Sequence, residues 1–414
     1  MLRIHDTRAG QVVPVQFGRL VRIYTCGPAV RRPAHVGDLR THVLSDLVRR
    51  ILERRRARVL ACQTITDVGH LTDSDVDHED AFRADANALN LRPPEHAPRA
   101  SENVEPMIEL VAKLVERGHA YMVPDGSVFF DVRTFPAYGE LSGNRPEEPR
   151  PADWALWEPG DGELSWDSPW GRGVPGRHVA CSALSLRFLG PAVDLHLGGI
   201  ERCFPHDEAE RAQSDAATGH EVVRHWVHGE RLLFDGRAGS NVVPLSDVTA
   251  AGLDPLAVRM AFLEHHYRRR LDLTWDTLRA ADRTLRRWRS RVAEWAESPS
   301  APMAAGHVER VESALGDDLD TPAALRVLGE LERDESVPPG AKLEAFLHVD
   351  QVLGLDLPID IGKAPTLPAG AGELLEARSR AQEARDWTEA DRLRDELAAL
   401  GVRVSDTPGG QTWA

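Results

Sequence analysis

Four side chains in this 414-residue sequence are of the types that hold a soft divalent metal: Cys26, Cys181, His206 and Glu210. Two thiolates, an imidazole and a carboxylate would make a four-ligand zinc site. His206 and Glu210 are four residues apart in HDEAERAQSDAATG, a spacing that puts both on one face of a helix. The same residues also fit a plainer description, with two buried apolar cysteines and an ordinary surface pair on a helix. A second group is His35-Val36-Gly37-Asp38. Placed at a helix start, it would offer backbone N–H groups and a positive dipole end to a phosphate, with His35 as a further donor. Asp38 equally suits the first turn of any helix. Gly198-Gly199-Ile200-Glu201 is a third group, a tight turn whose glutamate could accept from ribose hydroxyls. The fourth runs from Arg268 to Arg291, where nine arginines stand against Asp272, Asp276 and Asp282. That stretch fits either a phosphate-backbone face or a solvated helix face paired with acidic neighbours.

These residues need a frame to bring them together. Arg19–Tyr24 reads as a β-strand, Gly37–Arg55 carries apolar residues at helical spacing, and Val59–Ile65 reads as a second buried strand. A strand–helix–strand unit of this length predicts a parallel sheet and an α/β fold, with ligands at the loops beyond the carboxyl ends of the strands. Residues 1–112 form the first half of this Rossmann-type domain. Residues 113–175 are rich in Gly, Pro and Trp and read as a connective insertion, and 176–250 supply the second half. Residues 251–298 read as an arginine-rich helical region. Residues 299–414 read as a C-terminal helical domain, with patterns at about 307–333 and 371–400 joined by a Pro/Gly-rich link.

Composition narrows the function classes. With 65 acidic and 50 basic residues the formal charge is −15, so bulk charge does not favour nucleic acid, although a local basic face could. Four cysteines are too few for a disulfide scaffold, and no apolar run reaches signal-peptide or membrane-spanning length. A cytoplasmic, monomeric globular protein is expected. The only lysines are Lys113, Lys342 and Lys363.

Taken together, the blocks resemble the cysteinyl-tRNA synthetases, which are class I aminoacyl-tRNA synthetases. The resemblance rests on TCGPAV at 25–30, HVGD at 35–38, TITDVGHL at 64–71, SWDSPWGRGVPGRHVACSALS at 165–185 and DLHLGGIERCFPHDEAERAQSDAATG at 194–219. RHWVHGE at 224–230, DPLAVRMAFLEHHYR at 254–268, DDLDTPAALRVL at 317–328 and ARDWTEADRLRDELAALGVRVSDTP at 384–408 carry it to the C-terminus. It implies ATP-dependent activation of L-cysteine, with Mg, and transfer to tRNA-Cys. It implies zinc on Cys26, Cys181, His206 and Glu210, phosphates at His35 and Gly37, adenosine at Gly199 and Glu201, and an amino-acid pocket at Thr66, to which Asp67 is assigned from its place beside Thr66. The chain departs from the family pattern at several places. Asp38 stands where the HIGH signature has its second histidine, and the lysine-bearing KMSKS loop is missing from Phe234–Val243, leaving Arg237 as the one cation of Phe234–Asp247. Arg177 replaces a tryptophan at the floor of the cysteine pocket, Ala180 a glutamate, and Ala29 and Arg31 a threonine and a tyrosine. Two lost donors and an adverse carboxylate predict activation slower by on the order of 10⁴ if the effects add. The alternatives are a repurposed paralogue, its pocket altered by Arg177, that serves a non-tRNA acceptor, or a non-catalytic protein that binds zinc and tRNA.

Overall fold

The computed structural model describes residues 1–30, 32–68, 78–144, 153–237, 242–363, 370–400, 402, 404–407 and 410–413. Arg31 and the 238–241 stretch of the shortened loop lie outside the described residues. A hairpin of β1 (Arg3–Asp6) and β2 (Gln11–Pro14) precedes β3 (Leu20–Thr25), α1 (Val36–Arg54) and β4 (Arg58–Gln63). α2 (Glu79–Ala88) and α3 (Val104–Glu116) lead into β5 (Ala120–Met122), β6 (Val128–Phe130), β7 (Trp154–Pro159) and β8 (Gly173–Pro175). Then come α4 (Val179–Leu189), β9 (Val193–Gly199), a single turn α5 (Ile200–Arg202), α6 (Glu208–Thr218) and β10 (Val223–Gly229).

The central sheet is parallel throughout, in the order β10-β9-β3-β4. The chain runs outward from β3 to β4 on one side and returns through β9 to β10 on the other. The order therefore reverses between β3 and β9, and the crevice beyond their carboxyl ends is where such sheets bind ligands. Cys26 follows β3 and Gly199 ends β9, so both stand at this point. All seven residues of β9 are buried, as expected for a strand covered on both faces. α1 packs its Leu39, Val43, Leu47, Val48 and Ile51 into the same core. A side chain at Gly27 would place its Cβ 1.3 Å from the Thr64 carbonyl oxygen, so only glycine lets the loop after β3 pass β4.

The insertion forms an antiparallel sheet, β5-β6-β7-β8. Part of its tryptophan cluster is its packing. Trp157 is fully buried, and Trp154 stacks on Phe130 with ring centroids 4.5 Å apart. Beyond β10 follow β11 (Leu232–Phe234), α7 (Leu245–Ala250), α8 (Leu256–Leu263), β12 (Leu271–Leu273), α9 (Trp275–Ala296), α10 (Ala305–Gly316), α11 (Thr321–Arg333) and α12 (Pro339–Leu353). The fully buried Arg259 of α8 joins the elements behind α1. It donates to Asp46 of α1 at 2.5 Å and to the carbonyls of Leu89 and Leu353, while Arg50 donates to the same carboxylate at 2.6 Å.

Met1–Ile359 forms one compact unit and Asp360–Ala414 a second. The second holds α13 (Ala371–Glu383), α14 (Trp387–Ala399) and an antiparallel hairpin of β13 (Val404–Thr407) and β14 (Gly410–Trp413). Two features differ from the sequence reading of 299–414. α12 begins at Pro338-Pro339-Gly340, which reads as a link in sequence, but proline at the first helical position starts a helix readily. α10, α11 and α12 belong to the first unit, where Phe346 of α12 packs against Trp288 and Trp295 of α9.

Candidate active site and metal centre

The structure brings Cys26, Cys181, His206 and Glu210 together, with one ligand atom from each lying within 4.8 Å of the others. Cys26 comes from the end of β3, Cys181 from the first turn of α4 and Glu210 from the first turn of α6. His206 does not belong to the same regular helix as Glu210. It sits in a wider turn, Cys203–Asp207, where Phe204 has extended backbone angles, and α6 starts two residues later. The four-residue spacing still brings the two side chains together, with His206 Nε2 2.7 Å from Glu210 Oε1. Glu210 also contacts Cys26 Sγ at 3.0 Å.

The electrostatics of the cluster follow from burial and contact. Burial pushes the Cys26 thiol well up, and its contact with Cys181 adds to this. Cys181 moves the other way, to about 6, because Cys26 donates to it. Burial opposes ionisation of Glu210, but His206 and His196 hold its carboxyl well below the usual range. His178 lies Nδ1 to Nδ1 against His206 at 2.6 Å. Burial lowers His178 to about 3, so it stays neutral and accepts, and the His206 Nδ1 proton donates. His206 Nε2 is then directed into the cluster, against Glu210 Oε1. A buried imidazole nitrogen, two sulfurs and a carboxylate converging on one point are the donor set of a metal site.

Sequence reasoning missed the groups around this set. His196 on β9 places Nε2 3.1 Å from Glu210 Oε2. Asp207 is fully buried and accepts from His228 Nε2 at 2.7 Å, and His228 Nδ1 meets Thr7 Oγ1 at 2.7 Å. A histidine flanked by leucines in a fully buried strand was the available signal for His196.

The phosphate-type elements stand on the same rim. His35 is the N-cap of α1 and forms a reciprocal cap with Asp38: its Nδ1 accepts from the Asp38 amide at 3.0 Å, and Asp38 Oδ2 accepts from the His35 amide at 3.0 Å. The expected row of free amides is therefore partly used. The Val36 amide donates to Val243, and only the Gly37 amide of this turn lacks a partner among the described residues. Asp38 is not the unpaired carboxylate the sequence suggests. Arg32 grips it with two bonds, Nη1 to Oδ2 at 2.9 Å and Nη2 to Oδ1 at 3.1 Å. Burial opposes its ionisation, but Arg32 and His35 hold its pKa below the ordinary value.

Gly37, Gly199 and Glu201 line one cleft with Arg40, Glu230 and Tyr267. A Cβ at Gly199 would strike the Glu201 carboxylate at 2.1 Å. Arg40 reads in sequence as one more basic residue on α1. It is buried and donates to the carbonyls of Glu230 at 2.5 Å and Arg269 at 3.0 Å, closing the cleft wall.

Four further expected site residues, Asp67, Thr66, Arg237 and Arg177, have the following surroundings. Both oxygens of Asp67 are occupied by Arg99 and by the amide and hydroxyl of Ser101, so it braces its loop. Thr66 bridges to Ala29 through the backbone, its amide donating to Pro28 O. Arg237 closes a tight turn with Phe234, and its exposed side chain has no partner among the described residues. Arg177 is exposed beside His178 and has no hydrogen bond or ion pair among the described residues.

A doubly wound parallel sheet with its site at the β3/β9 crevice, followed by helices, is the architecture of class I aminoacyl-tRNA synthetases. Methionyl-tRNA synthetase of Mycobacterium tuberculosis bound by methionyl-adenylate has this fold, with a TM-score of 0.58 and 14% identity over 89% of this chain and 96% of that one. The family model described as the tRNA synthetases class I (C) catalytic domain matches residues 12–283, and the cysteinyl-tRNA ligase anticodon binding domain matches 364–413. Cysteine--tRNA ligase of Opitutus terrae is 39% identical over 94% of this chain and 93% of its own length. That of Thermus thermophilus is 37% identical over 100% and 99%. The chain belongs to the cysteinyl-tRNA synthetase family.

Proposed function

We propose that this chain activates L-cysteine with ATP and Mg and transfers it to tRNA-Cys, and that it works as a monomer. The observation that supports this best is the cluster of Cys26, Cys181, His206 and Glu210 at the sheet's switch point, on the same rim as the α1 N-terminus. These residues would hold zinc. When bound, the ion favours the substrate's thiol as a thiolate over serine's hydroxyl, a discrimination a hydrophobic pocket cannot supply. His178 keeps the His206 ring oriented. His35 Nε2 and the Gly37 amide receive phosphate oxygens, and Gly199 with Glu201 receives the ribose. Thr66 and Asp67 hold the wall of the amino-acid pocket, and Arg177 stands at its mouth. Arg237 is the remaining cation of the shortened loop. The match to an anticodon-binding domain at 364–413 supports tRNA as the acceptor over a small molecule.

The metal reading is tested by elemental analysis of protein purified without chelator. About one zinc per chain is expected from the single four-ligand set. Cys181→Ala lowers that ratio and abolishes cysteine-dependent charging of tRNA. Full charging by metal-free protein contradicts the reading.

A further inference from the structure

We propose that Arg32, positioned by Asp38, binds a phosphate group of the nucleotide at the start of α1. The inference rests on the reading of the chain as an ATP-using ligase and assigns two of its residues.

His35 Nδ1 lies 3.0 Å from the Asp38 amide and 3.2 Å from Asp38 Oδ2, so the cap holds this side of the ring. Nε2 is on the other side, with Arg32 Nη2 3.3 Å from it. The Gly37 amide, without a partner among the described residues, belongs to the same turn. A guanidinium, an imidazole edge and a free amide from one loop and one helix end fit a tetrahedral oxyanion.

Asp38 accounts for the direction of the guanidinium. Its two oxygens take one hydrogen from each Nη, while Pro33 O takes another from Nη1 at 3.1 Å. Nε has no partner among the described residues and Nη2 otherwise meets only His35 Nε2, at 3.3 Å, so this edge of the guanidinium can turn two parallel donors to a phosphate. The side chain is 49% exposed, so a ligand can reach it. Asp38 is charge-compensated by Arg32, and a cation stands where the sequence alone shows an anion.

Equilibrium binding of MgATP and of adenosine to the full chain, followed by calorimetry, tests this. Arg32→Ala should weaken MgATP at least tenfold and leave adenosine and zinc content unchanged. Asp38→Asn keeps an oxygen for the helix cap but loses the ion pair. It weakens MgATP when Arg32 is present and strengthens it in the Arg32→Ala background, where only a carboxylate near phosphate is removed. A purely structural role for Asp38 would not reverse sign in this way. MgATP binding unchanged by Arg32→Ala, or a wild-type chain that binds MgATP no more tightly than adenosine, overturns the proposal. Cysteine-dependent ATP–pyrophosphate exchange reports separately on the ligase reading, so the two can fail independently.

Discussion

His42 shows how one buried residue on α1 couples the site region to pH. It is almost fully buried and packs edge-on against Phe82 at 5.0 Å. Burial, with Arg202 adding to it, lowers its pKa to about 4. The unfolded chain, with histidine near ~6.5, therefore binds more protons than the folded one between these values. Stability falls as pH drops below about 6.5, and the loss is complete near about 4, with a magnitude of roughly 3 kcal/mol at one pKa unit per 1.36 kcal/mol. His42→Gln should flatten this part of the acid limb in urea unfolding measured from pH 7 to 4. An identical slope in wild type and variant would show that His42 titrates normally in the fold. At this scale the sequence was partly legible. Cys26, Cys181, His206 and Glu210 could be named from ligand type, spacing and family resemblance. Arg32 and His196 could not, because their meaning depends on partners that folding supplies: Arg32 lies six residues before Asp38, but the 2.9 Å bond depends on the turn that leads into α1.

Among the elements, α9 changes most between sequence and structure. Its arginines read as an excess of positive charge, yet most are paired. Arg286 bonds Asp282 at 2.6 Å, Arg287 bonds Glu332 at 3.0 Å, and Arg279 and Arg291 bond acidic neighbours on the same helix. Arg289 is buried, donating to Asp254 and to the carbonyls of Leu355 and Asp356. A helical wheel shows neither the acidic partner from α11 nor the carbonyls beyond α12. Arg269, Arg270 and Arg283 are exposed and have no side-chain partner among the described residues, so they are the arginines free to meet phosphate. Neutralising these three should weaken tRNA binding and lower its salt slope by about one unit for each phosphate left without its arginine. A slope unchanged from wild type would leave α9 as a solvated structural face. Arg289→Ala should instead destabilise the fold by about 1–3 kcal/mol, since it leaves the partly exposed Asp254 and two carbonyls without their donor.

At the scale of the whole chain, the α/β class and the interrupted parallel sheet were readable from strand–helix–strand spacing. The boundary of the second unit was not, because α10 to α12 have the same helical periodicity as α13 and α14 and differ only in what they bury. A chain ending at Ile359 retains the first compact unit and should keep its zinc while charging tRNA-Cys poorly. A chain ending near residue 305 would remove the helix that covers Trp288 and Trp295 and should not fold. In the proposed function, a metal cluster and an N-terminal helix cap on one rim make a cysteine-specific ligase. ATP–pyrophosphate exchange by the purified, metal-loaded full chain, run with cysteine and with serine, tests it most directly. Exchange should depend on cysteine, fall to background with serine, and be slow, since each missing cation of the lysine loop removes ~10²–10³ in rate. No exchange with cysteine, or equal exchange with serine, would contradict the account.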